Sequence, residues 1–188
     1  NCLKALLDAG IQVDLVVTHQ DDPNENVWFE SVAKLCTEKN IPYITPNANE
    51  LVDVMPKLQS LAPDYIFSFY YRFMIPEQIL ACAKIAALNM HGSLLPKYRG
   101  RAPVNWAILH GETETGATLH IMETKPDAGD IVGQAAVNID PDETATDVFG
   151  KVSQAAVGVI KQALPSLIQG IVPLSLIHIS EPTRLLSI

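Results

Sequence analysis

Short apolar runs alternate with helical stretches through the middle of this 188-residue chain, and that alternation limits its fold more than any other feature. Val13 to Thr18 (VDLVVT) has strand length and β-branched character, and the turn-rich segment from Gln20 to Asn24 follows it. A helix is expected from about Val27 to Lys39, then a short strand from Ile41 to Ile44, then a helix through Leu51, Val54, Leu58 and Leu61. Tyr65 to Tyr70 (YIFSFY) is a third strand, Pro76 to Lys84 a helix with proline in its first turn, and Ala86 to His91 (AALNMH) a strand ending on a polar pair. Strands of this length between helices predict parallel βαβ units in a doubly wound α/β domain with helices on both faces. In such sheets ligands bind at the carboxyl ends of the strands. There is no internal repeat or low-complexity segment, so one domain is expected.

Composition narrows the partners. Thirteen Lys and Arg against 21 Asp and Glu give a net charge of -8, the wrong sign for a protein that grips nucleic acid through phosphates. Cys2, Cys36 and Cys82 have no metal-ligand spacing and read as free thiols of a reducing cytosol; no metal is expected. No apolar run is long enough to span a bilayer.

The two ends read differently from the middle. Asn1 to Gly10 has apolar positions at Leu3, Leu6 and Leu7 and stops at glycine, an amphipathic helix. A doubly wound domain normally opens with a strand feeding such a helix, so an N-terminal truncation is expected, with a first strand lacking and a weakened fold as the consequence. At the other end, Leu174 to Arg184 (LSLIHISEPTR) resembles the translation of a sequencing-library adapter. The expected division is a domain over 1–173 and a non-native tail over 174–188, which takes His178 out of consideration. Read as protein, Leu174 to Ile179 would be a short strand.

Chemistry concentrates between Leu88 and Gln134. Asn89 and His91 stand two apart at a strand end, so their side chains share a face. A loop from Ser93 to Pro103 carries Lys97, Arg99 and Arg101; a helix begins near Trp106; Thr115 to Met122 is strand-like; and the loop from Glu123 to Asp130 holds Asp127. Acyl transfer between amines requires a donor for the developing oxyanion and a group that takes and returns a proton. An Asn amide beside a His imidazole supplies both, and a carboxylate next to the His, with Asp127 the candidate, fixes its tautomer and favours its protonated form. The same residues also suit plainer roles: a turn-capping Asn, a satisfied His, and an Asp opening a turn with Gly129. The three cations fit either a solvated loop or a diphosphate or carboxylate ligand.

The core Asn89-Met-His91-Gly-Ser-Leu-Leu-Pro96, with Asp127 downstream, resembles the signature of the 10-formyltetrahydrofolate-dependent formyltransferases. The runs FSFYYR (Phe67 to Arg72), HGSLLPKYRGRAPVNW (His91 to Trp106) and GETETGATLH (Gly111 to His120) are similar to the branch that acts on UDP-4-amino-4-deoxy-L-arabinose, in lipid A modification and polymyxin resistance. The resemblance extends to about Gly170. It implies a Rossmann-like sheet, 10-formyltetrahydrofolate as cosubstrate, a UDP-linked amino sugar as acceptor, and in some members a fused decarboxylating dehydrogenase. It assigns the oxyanion contact to Asn89, proton transfer to His91, and support of His91 to Asp127. Folate would lie along Phe73, Met74 and Ile75 and along Glu123, Thr124, Lys125, Pro126 and Asp127, with Arg101 also on ligand. Methionyl-tRNA formyltransferase, or a non-catalytic folate- or nucleotide-binding relative, is the alternative. His19, His110 and His120 read as surface, helix-end and structural residues respectively.

Overall fold

The computed structural model describes residues 1–21 and 30–174. The start of the second expected helix (27–29) and the short strand expected within the tail, apart from Leu174 itself, lie outside the described residues.

Helix α1 (Cys2–Asp8) buries Cys2, Ala5 and Leu6, and Gly10, at φ 74°, turns the chain out of it. Strands β1 (Val16–Val17) and β2 (Tyr43–Ile44) pair in parallel across helix α2 (Val32–Glu38), whose Ser31 hydroxyl accepts the Lys34 N–H at 3.1 Å. The expected helix through Leu51 and Leu61 is two pieces. A 3-10 turn over Ala48–Val54, opened by an Asn47–Glu50 capping box, runs into α3 (Met55–Leu61). Strand β3 (Tyr65–Phe69) and strand β4 (Ala86–His91) flank α4 (Glu77–Leu80). Helix α4 is shorter than Pro76 to Lys84 because the N–H groups of Lys84 and Ile85 turn away to bond the carbonyls of Pro63 and Asp64 at 2.9 Å. Helix α5 (Pro103–Leu109), strands β5 (Glu114–Ile121) and β6 (Ile131–Asn138), and the 24-residue α6 (Ala145–Ile168) complete the elements of the described residues.

The strands β3-β4-β5-β6 form one sheet in that order, and β1-β2 a separate pair. β3 and β4 are parallel, while β5 and β6 return antiparallel. Helices cover both faces, as the doubly wound class requires. On one face, Val148, Val152, Ala156, Val159 and Ile160 of α6 pack on Leu88, Met90, Ala117 and Leu119. Each fully buried Val, Leu or Ile contributes roughly 1.5–3 kcal/mol before its ordering entropy. On the other face, Leu51, Val54, Leu58 and Ile79 pack on Val17, Ile44 and Ile66. Helix α6 starts at a Thr144–Asp147 capping box and is joined to β3 by the Tyr65 hydroxyl, which donates to the Leu167 carbonyl at 2.9 Å.

Strand alternation now places the polar residues. Leu88 and Met90 enter the α6 core, so Asn89 and His91 point to the opposite face. The β4–β5 register sets Asn89 directly against His120.

Candidate active site

Four polar side chains meet at the end of β4. His91 is 7% exposed and His120 1%. Asp127 reaches them from the loop after β5, with its side chain 13% exposed. Asp127 Oδ1 lies 3.6 Å from His91 Nδ1, 3.4 Å from His120 Nε2 and 3.4 Å from Asn89 Nδ2. Its other oxygen, Oδ2, accepts the backbone N–H of Gly100 at 2.8 Å.

The hydrogen bonds decide the tautomers. His91 Nε2 donates to the Tyr98 carbonyl at 2.8 Å, which leaves Nδ1 turned toward Asp127. His120 Nδ1 donates to the Ile121 carbonyl at 2.8 Å, so its Nε2 can accept from Asn89 Nδ2 at 3.1 Å. The Asn89 NH2 therefore bridges His120 and Asp127; the flipped amide would set oxygen against carboxylate. Its 3.4 Å contact to Asp127 is the weaker of the two and the one an incoming acceptor can displace.

Burial pushes the Asp127 carboxyl up, but the close side-chain contact with His120, the Gly100 N–H and the charge that His91 and His120 carry when protonated outweigh it. The carboxyl is held below the ordinary aspartate range. The cluster therefore keeps a buried anion between two imidazoles that can carry protons.

Local backbone conformation delivers these groups. Asp127 sits at φ 50°, a left-handed conformation that costs a non-glycine residue about 1–2 kcal/mol. Just beyond it, a Cβ on Gly129 would collide with the Ile121 carbonyl oxygen, so only glycine lets the loop fold back this tightly on β5. The facing loop carries Tyr98, Gly100 and Ala102 at φ 56°, 97° and 54°. A buried network anchors its base. Thr118 Oγ1 donates to the Ser93 carbonyl at 2.6 Å and accepts from Gln134 Nε2 at 2.8 Å and from the Leu95 N–H at 3.2 Å.

Other sequence-predicted residues fall around this cluster. Glu123, Thr124 and Lys125 line an open cleft of about 610 Å³ together with Leu80, Ile85 and Ala87. Pro126 is exposed next to Asp127. Phe73, Met74 and Ile75 do not line that cleft. Phe73 meets Tyr71 edge to face with ring centroids 5.7 Å apart, Met74 is 66% exposed, and Ile75 packs among Leu51, Val54 and Ile79. Arg101 Nη2 donates to the Arg72 carbonyl at 3.5 Å, joining the two loops. Lys97 is ion-paired with Glu112 at 3.1 Å. His110 is at the end of α5, as read, and His19 is partly exposed beyond β1. His120, read as structural, is buried in β5 against Asn89 and Asp127; its partner across the ladder is visible only once the register is known. Among the described residues no group of His, Cys, Asp and Glu could hold a metal ion.

The decisive comparison is with the family model described as formyl transferase, which matches residues 1–164. This chain belongs to the formyl transferase family. Its reaction class is transfer of a one-carbon formyl group. Solved structures of similar fold include phosphoribosylglycinamide formyltransferase from Anaplasma phagocytophilum, 21% identical with TM-score 0.77, covering 90% of this chain and 82% of that one. A 4-N formyltransferase from Francisella tularensis is 22% identical with TM-score 0.69, covering 92% of this chain and 66% of that one. WlaRD, a sugar 3N-formyl transferase solved with dTDP and 5-N-formyl-THF, is 24% identical with TM-score 0.71, covering 93% and 60%. At these identities the likeness is one of fold, and this chain spans 66% of the Francisella protein and 60% of WlaRD. Among the described residues no helix is long and apolar enough to cross a membrane.

Proposed function

We propose that this formyl transferase moves a formyl group from 10-formyltetrahydrofolate to the 4-amino group of a UDP-linked amino sugar, UDP-4-amino-4-deoxy-L-arabinose, as in lipid A modification and polymyxin resistance. The observation that carries the reading is the convergence of Asn89, His91 and Asp127 at the carboxyl end of β4, next to an open cleft. The choice of acceptor rests on the resemblance of the His91–Trp106 and Gly111–His120 runs to that branch. Free Cys2, Cys36 and Cys82 are in keeping with a cytosolic enzyme.

The cleft suits a folate. Leu80, Ile85 and Ala87 offer an apolar wall to a flat ring, and the exposed loop from Glu123 to Pro126 offers polar groups to its edge. Glu123, Thr124, Lys125, Pro126 and Asp127 would hold it on one side; the resemblance also assigns Phe73, Met74, Ile75 and Arg101 to the ligand, and these lie outside the lining of this cleft. Bound there, the cosubstrate supplies an activated formyl group.

The protein residues then divide the work. The Asn89 amide exchanges its weak contact with Asp127 for the formyl oxygen and stabilises the charge that develops on it. His91, with Nε2 committed to Tyr98, handles protons at Nδ1: it takes one from the attacking amine and returns it to the departing nitrogen. Asp127 stabilises His91 while it holds that proton.

The test is a formyl-transfer assay with 10-formyltetrahydrofolate and UDP-4-amino-4-deoxy-L-arabinose, with His91→Ala as control. Formylated sugar nucleotide that vanishes in the control supports the assignment. Activity only toward another amino-sugar nucleotide or aminoacyl-tRNA replaces the acceptor, and formate release without an amine acceptor reassigns the protein as a deformylase. Folded protein with none of these activities overturns the reading.

A further inference from the structure

The loop that bonds both His91 and Asp127 is held from its outer side. Tyr98 presents its carbonyl to His91 Nε2 at 2.8 Å, and two residues later Gly100 presents its N–H to Asp127 Oδ2 at 2.8 Å. Both contacts use backbone atoms, so their accuracy depends on whatever fixes the loop. Tyr98 occupies a left-handed conformation at φ 56°, which a tyrosine does not keep without external restraint. Ser93 Oγ donates to the Lys97 carbonyl at 2.6 Å on the inner side, and a second restraint is at the far end of the Tyr98 ring. The Tyr98 hydroxyl donates to Glu112 Oε1 at 2.8 Å and receives a contact from His110 Nδ1 at 3.2 Å, while Lys97 Nζ donates to Glu112 Oε2 at 3.1 Å. Glu112 thus collects both ends of the Lys97-Tyr98 step. Its carboxylate is held below the ordinary glutamate range by the Tyr98 hydroxyl and by Lys97, so it is charged when it grips them.

From this geometry we infer that Glu112 acts through Tyr98 as a positioning residue that keeps His91 in the Nε2–H tautomer, so that the proton-exchanging nitrogen is Nδ1. The inference rests on the proposed role of His91 as proton carrier. The physical argument is one of alternatives. A neutral imidazole carries one proton, and the Nδ1–H tautomer would point it at Asp127 while setting the Nε2 lone pair against a carbonyl oxygen. The Nε2–H tautomer in turn faces the Nδ1 lone pair to Asp127 Oδ1, but at 3.6 Å against 2.8 Å for the carbonyl, so with the Tyr98 carbonyl fixed Nε2–H wins. If the carbonyl moves, Asp127 can draw the proton to Nδ1, and that nitrogen then has no lone pair with which to take a proton.

The experiment compares the intact chain with Tyr98→Phe, Glu112→Ala and the double variant. Histidine-labelled protein is examined by long-range 15N–1H NMR at a pH where His91 is neutral, since the two ring nitrogens then reveal which carries the proton. His91→Ala assigns the signals. In the parent chain His91 gives a protonated Nε2, and in either variant a mixture of tautomers. Formyl-transfer kcat falls between about 10- and 100-fold with KM changed less than about threefold. The double variant is no worse than either single one, because both remove the same bond. Tyr98→Phe keeps the ring, so it guards against a merely unfolded Glu112→Ala. An unchanged tautomer in folded Tyr98→Phe overturns the inference, as does a parent chain with protonated Nδ1. The NMR outcome is independent of formyl transfer, so failure of the proposed function and failure of this inference are separately visible.

Discussion

Asn89 and His120 face each other across the β4–β5 ladder, amide Nδ2 to imidazole Nε2 at 3.1 Å. With His120 Nδ1 bonded to the Ile121 carbonyl, this contact orients the Asn89 amide: one N–H is occupied and the other points toward Asp127. His120→Ala should therefore lower kcat for formyl transfer about tenfold, because the amide loses its stop and rotates. His120 is nearly fully buried, so the same change should also cost about 1–3 kcal/mol of stability. Steady-state kinetics and a denaturant titration separate the two effects. Unchanged kcat in a folded variant would reject the orienting role.

The position of Asp127 has a pH consequence. Its carboxyl is lower in the folded chain than in the unfolded one, where an aspartate titrates near about 3.9. The stabilisation is fully present above that unfolded value and is lost as the pH falls through the lower native value. Asp127→Asn removes this contribution, so the melting-temperature gap between parent and variant should be wide near neutral pH and close in acid. A gap that stays constant with pH would contradict the assignment.

Gly129 is where the loop carrying Asp127 closes against β5, with no room for a Cβ beneath the Ile121 carbonyl. Gly129→Ala should cost about 1–3 kcal/mol and lower kcat about 100-fold by displacing Asp127 from His91. Gly150 on α6 has open space around its Cβ position and provides the control: Gly150→Ala should leave kcat unchanged. Thermal melts and kinetics on both variants check this.

The thiols should separate by burial. Burial pushes the Cys2 thiol up to about 11, and Cys36 is raised by the same cause and has no exposed surface. Cys82 is partly exposed. A disulfide reagent near pH 8 should label Cys82 first, with Cys2 and Cys36 reacting on denaturation. Mass spectrometry of the labelled peptides reads the order directly.

Much of the fold is written in short-range patterns. The alternation of apolar runs marks the third, fourth and fifth strands close to their observed bounds, because a strand's face alternates with a period of two and needs no distant information. The same period puts Asn89 and His91 on one face, and Leu88 and Met90 on the other, from the residue types alone. Local reading is less accurate where backbone bonds compete. The expected helix after Pro76 ends early since Lys84 and Ile85 bond back to Pro63 and Asp64, and the helix before β3 begins as a 3-10 turn under its capping box.

Tertiary structure decided the rest. The antiparallel return of β5 and β6 depends on which edge of β4 the chain rejoins, and only pairing in space settles that. The register of that pairing brings His120 to Asn89 from 31 residues away. The Tyr98 carbonyl and Gly100 N–H, which hold His91 and Asp127, are backbone groups that every residue possesses, so no side-chain pattern announces them. The sequence by itself determined which chemical groups are available and which face of a strand they occupy, because both are local properties. Their distances, tautomers and protonation were decided by the tertiary fold, because each depends on a partner whose place is set by packing between distant segments.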